Sequence, residues 1–127
     1  MNANFETAGT FAAENLFAGE FPVVEDKITL AEGAGDLAAG AVIAFDSEGK
    51  GVLVQSDVGE GGDIRRTPVG VLRFPANATS ADVEAFICLT GDFNRAALTF
   101  GGTDTAATHE AALRALCIFT HKTNQGA

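Results

Sequence analysis

Two histidines, His109 and His121, and two cysteines, Cys88 and Cys117, are the residues of this 127-residue chain best suited to hold a metal or form a nucleophile–base pair. Their spacing matches neither H-x-x-x-H nor a paired-cysteine knuckle, so no metal site is expected. The histidines read as surface or capping residues. The cysteines sit inside AFICLT and ALCIFT and read as two small buried hydrophobes, both reduced. Ser47, Ser56 and Ser80 fall in turn-like stretches without the strand–turn–helix setting of a nucleophilic serine. The glycine clusters GEGGD and FGGTD match neither phosphate-loop nor dinucleotide patterns and read as turns. With seventeen carboxylates, adjacent pairs such as Glu25 and Asp26 are unavoidable and do not point to acid–base catalysis. No catalytic residue, cofactor or metal ligand emerges, and the chain does not read as an enzyme.

The elements around these residues are mostly extended. Alternating apolar residues predict strands over Glu25–Leu30, Val42–Phe45, Val52–Gln55, Val69–Phe74, Asp82–Leu89 and Leu116–Thr120. The second and third form a hairpin across DSEGKG, and AEGAGD and Asn-Ala-Thr read as turns. VGEGGDIRR reads as a polar loop and HKTNQGA as a polar tail. FNRAALTF can make one helical turn, and Asp104 or Thr108 can cap a helix reaching about Ala115. The sum is one small, mainly β domain with one or two short helices.

Composition narrows the partners. A net charge of −9 and a pI near 4.4 oppose nucleic-acid binding, which needs cations to neutralise phosphates. No apolar run is long enough to span a membrane. The first stretch, MNANFETAGTFAAENLFAGEF, has no Lys or Arg, so it resembles neither a secretion signal nor a basic membrane-lying helix. It holds four of the ten phenylalanines, at 5, 11, 17 and 21. They form no helical stripe, but all four positions are odd and share one face of an extended chain. That points to an extended arm carrying aromatic anchors.

Three quarters of the chain resembles the head decoration proteins of lambda-type tailed bacteriophages. The likeness rests on L-A-A-G-A-V at Leu37–Val42, P-V-G-V-L at Pro68–Leu72, T-G-D-F-N at Thr90–Asn94, and a late L-R followed by C-I-F at 117–119. The resemblance implies a homotrimer of a β-clip or tulip-like domain seated at three-fold and quasi-three-fold positions of the expanded head. It implies the major capsid protein as partner, no catalysis, synthesis in the host cytoplasm and residence on the outer surface of the virion. Residues 1–24 then form the capsid-binding arm and 25–127 the decoration domain. Phe5, Phe11, Leu16, Phe17 and Phe21 are the expected capsid contacts, made as the arm pairs with a strand of the capsid protein. Deleting residues 1–21 is expected to leave the domain folded. The rival readings are a small trimeric β-fold enzyme of the nucleotide hydrolase type and a minor virion adaptor.

Overall fold

Strand alternation that buries both faces organises the chain. The computed structural model describes residues 16–19, 21–56 and 67–121. The VGEGGDIRR loop, the tail beyond His121, Phe5 and Phe11 lie outside the described residues. The described residues form nine strands: β1 (Glu25–Leu30), β2 (Gly35–Leu37), β3 (Val42–Phe45), β4 (Gly51–Leu53), β5 (Gly70–Leu72), β6 (Ala76–Ala78), β7 (Val83–Cys88), β8 (Gly91–Asn94) and β9 (Ile118–His121). A 3-10 turn at Arg95–Ala97 and one helix, α1 (Ala106–Ala115), lie between β8 and β9.

Five strands close a barrel in the order β1-β4-β3-β5-β7. Its longest ladder is antiparallel β1–β7, with all six residues of each strand in register from Glu25 opposite Cys88 to Leu30 opposite Val83. The seam between β1 and β4 is a single parallel pair, Leu30 with Gly51. Leu30, Ile43, Leu72, Ala85 and Ile87 fill one core. Their neighbours Val42, Ala44, Val71 and Cys88 face the other way, into a second core. A strand buried on both faces needs an unbroken apolar run, which is why Ala41–Ala44 contains no polar residue.

The second core is closed by another layer. Phe93 of β8, Leu98, Leu113 of α1 and Ile118 of β9 pack on the barrel's outer face together with Leu16. Because β8 and β9 are parallel, they need a crossover, and the 3-10 turn and α1 supply it. Gly40 has φ 99° where barrel and layer meet, and any Cβ there would collide with the Ala97 carbonyl oxygen.

Several expectations change. The turn-like AEGAGD and Asn-Ala-Thr stretches overlap β2 and β6, which pair with each other and so owe their extension to a distant partner. Thr90–Asn94 supplies β8, and the helical turn of FNRAALTF is the 3-10 turn that follows it. The cap of α1 is Thr105 rather than Asp104 or Thr108; the Thr105 N–H donates to Thr108 Oγ1 at 3.0 Å. His109 is buried, not at the surface.

Both cysteines are free, but only Cys88 is buried; burial pushes its thiol up to about 11 despite the opposing Arg73. Cys117 is exposed, because it is the residue that turns the chain out of α1, with φ 65°. A β-carbon in that left-handed conformation costs about 1–2 kcal/mol. Cys117→Gly should therefore raise unfolding stability by about 1 kcal/mol, read as a higher urea midpoint at unchanged slope. An unchanged or lower midpoint would show that the cysteine side chain compensates for its backbone.

Candidate functional site

The stretch that enters the domain is held by successive contacts along β8. Leu16 is 1% exposed and belongs to the second core. Phe17 bridges antiparallel to Phe93, and their rings stack with centroids 5.2 Å apart. The Ala18 N–H donates to the Asp92 carbonyl at 2.8 Å. Gly19 passes so close to Asp92 that any side chain would strike its carboxylate. Phe21 meets Phe119 of β9 edge-on at 5.1 Å. Thr90 then clamps the next turn: its hydroxyl donates to the Pro22 carbonyl at 2.8 Å and accepts from the Val24 N–H at 3.0 Å. The Leu89 N–H closes the series on the Val24 carbonyl at 2.6 Å.

The expected capsid contacts therefore divide by position. Leu16 is in the core, Phe17 is half-buried and Phe21 is 39% exposed. One aromatic–cation group completes the region. The Arg73 guanidinium lies 5.2 Å from the Phe17 ring and 5.4 Å from that of Phe74, and pairs with Glu25. Sequence reasoning missed this group. Its signal was the Arg-Phe-Pro that breaks the strand after Leu72.

A densely bonded buried polar cluster joins Ser56, Asp104 and His109. Asp104 accepts the Ser56 hydroxyl at 2.6 Å, the Ser56 N–H at 2.7 Å and His109 Nε2 at 2.7 Å. His109 stacks on Phe100 with rings 5.6 Å apart. Burial alone would raise the Asp104 carboxyl, but the bonds from Ser56 and His109 outweigh it and hold the group below the usual carboxylate range. In a hydrolytic triad the histidine stands between serine and carboxylate. Here the carboxylate stands in the middle and accepts the hydroxyl's hydrogen bond and the imidazole's itself. That geometry ties β4's exit to the start of α1. Among the described residues no group of His, Cys, Asp and Glu could hold a metal ion.

The family model for bacteriophage lambda head decoration protein D matches residues 6–119. The chain belongs to the lambda head decoration protein family. No curated protein matches it in sequence. The match runs from within the first residues into β9, so it takes in the entering stretch, both cores and the crossover. The family is a structural one, placing its members on the phage capsid. No helix among the described residues is long and apolar enough to cross a membrane.

Proposed function

We propose that this protein is a cement protein, binding as trimers at the three-fold and quasi-three-fold positions of the expanded head and stabilising the shell without catalysis. The family match over residues 6–119 carries the reading. Residues 1–24 serve as the arm toward the major capsid protein, with Phe5, Phe11 and Phe21 as anchors. The fixed stretch through Leu16 and Phe17 supports this, because a binding arm must be moored to transmit any stabilisation to its domain. Each fully seated Phe contributes about 1.5–3 kcal/mol, while ordering the chain costs about 1–2 kcal/mol per residue. One arm is therefore weak, and three arms on one trimer act through effective concentration. The acidic chain and the absence of basic clusters suit a partner that is neither nucleic acid nor membrane.

The test is co-sedimentation with expanded and unexpanded empty heads. Saturable binding to expanded heads alone, with a raised temperature of head disruption, is expected. Equal binding to neither form would remove the decoration reading.

A further inference from the structure

Followed backward from the domain, the entering stretch has a direction. Ala18 is bonded at Asp92 and Phe17 bridges antiparallel to Phe93, so the residues before Leu16 run past Asn94 toward the 3-10 turn at Arg95–Ala97. Leu16 lies beside Gly40, 3.3 Å from where a Cβ would stand, and the Gly40 carbonyl accepts the Thr99 N–H at 3.0 Å. At Thr99 a groove of about 580 Å³ begins, between residues 98–100 and the first turn of α1. Its apolar walls are Leu98, Phe100, Ala106 and Ala107, with Arg95 among its lining. Leu98 shares the second core with Leu16, and Phe100 packs against that core, so the groove continues the surface on which Leu16 is seated.

We propose that in the free protein this groove holds Phe11 of the same chain, a stowed position that the ring leaves when the arm meets a capsid protein. Only the release rests on the arm reading above; the stowed contact stands without it. Reach selects the residue. Five residues lead from Leu16 back to Phe11. Extended, they cover up to about 17 Å, against about 6 Å for the three-residue 3-10 turn they must pass. Ala12 and Ala13 follow the ring, so no bulky side chain keeps this backbone off the groove. Charge points the same way. Lys27, Lys50 and Arg73 each have a carboxylate of their own, whereas Glu110 alone serves both Arg95 at 3.0 Å and Arg114 at 2.9 Å. Among the described residues those two arginines are one carboxylate short, in a chain of net charge −9. Glu14, two positions before Leu16, is the acid that this path brings past Arg95. Asp104 also lines the groove, but its oxygens are engaged by Ser56 and His109. Seating one ring while ordering five residues comes close to balance. The stowed contact therefore adds little to the stability of the domain and yields to a shell that binds the arm.

The chain has no Trp and no Tyr, so Phe11→Trp introduces a single indole as reporter. In the free protein its emission should be blue-shifted and weakly quenched by acrylamide. Adding Ala107→Glu places an acid in the exposed first turn of α1, where it favours the helix. It should shift the emission to the red and restore full quenching, with no fall in the urea midpoint. A red, freely quenched indole in the free protein overturns the inference, as does a blue one that Ala107→Glu leaves unmoved. Refolding a small share of Phe11→Trp chains with an excess of Ala107→Glu chains identifies whose groove is filled. An indole that stays blue sits on its own chain; one that turns red sits on a neighbouring copy, which also overturns the inference. No head enters these measurements, so their failure leaves the decoration reading untouched.

Discussion

A chain lacking residues 1–15 should fold with essentially full stability and lose most of its binding to expanded heads. A chain lacking residues 1–21 should be destabilised by several kcal/mol. The difference lies in Leu16 and Phe17. Leu16 is a fully buried member of the second core, and removing a side chain of that kind costs about 2–5 kcal/mol. Phe17 stacks on Phe93 and carries Arg73 on its ring, so the longer deletion also strips the cover from β8. Against a typical total of about 5–15 kcal/mol, the second loss can unfold the domain. A deletion within the arm that leaves the domain folded should therefore stop before Leu16, six residues short of the expected 1–21 cut. Urea denaturation and co-sedimentation, run on both truncations, read the two effects separately. A 1–15 deletion that decorates heads with wild-type affinity would show that Phe5 and Phe11 are not anchors.

Asp104→Ala should cost about 2–4 kcal/mol, because the Ser56 hydroxyl, the Ser56 N–H and His109 Nε2 all lose their acceptor at a buried point. The acid dependence has a definite sign. The folded-state carboxyl is held low, so its contribution is fully present above its unfolded value of about 4 and is lost as pH falls through the lower folded value. Wild type should therefore lose stability more steeply than Asp104→Asn as pH is lowered below about 4. The urea midpoint measured against pH checks this. Parallel curves for the two proteins would assign the acid loss to other carboxylates.

The barrel's longer strands were legible because their residues alternate. Ile28 and Leu30 mark β1, Ala85 and Ile87 mark β7, and each falls on the buried side as the two-residue period requires. β2 and β6 were not legible: Gly-Asp-Leu and Ala-Asn-Ala have no preference for extension and acquire it only by pairing. Cys117 misled in the same manner. Its apolar neighbours suggest a core, but its place at the end of α1 is set by the turn toward β9. For the site, the order of motifs carried the family and the odd-numbered phenylalanines carried the idea of an arm. The mooring at Leu16 could not be read, because its partners Phe93, Leu113 and Ile118 lie between about 75 and 100 residues away, where local patterning says nothing.

The sequence of contacts along β8 also defines how a pull would travel. Tension applied to the arm enters at a side chain locked in the core, not at a surface hydrogen bond. It passes next to the Phe17–Phe93 stack and the Ala18–Asp92 bond, and only then to the Thr90 clamp on Pro22 and Val24. From there the load enters β1, whose six-pair ladder with β7 runs alongside the direction of the chain. Bonds loaded side by side fail together, whereas bonds at a peeling edge fail one at a time. If the arm is fastened to the shell as proposed, a pull on it would reach several fastenings before the barrel, and the domain would act as a rivet head rather than as a glue spot.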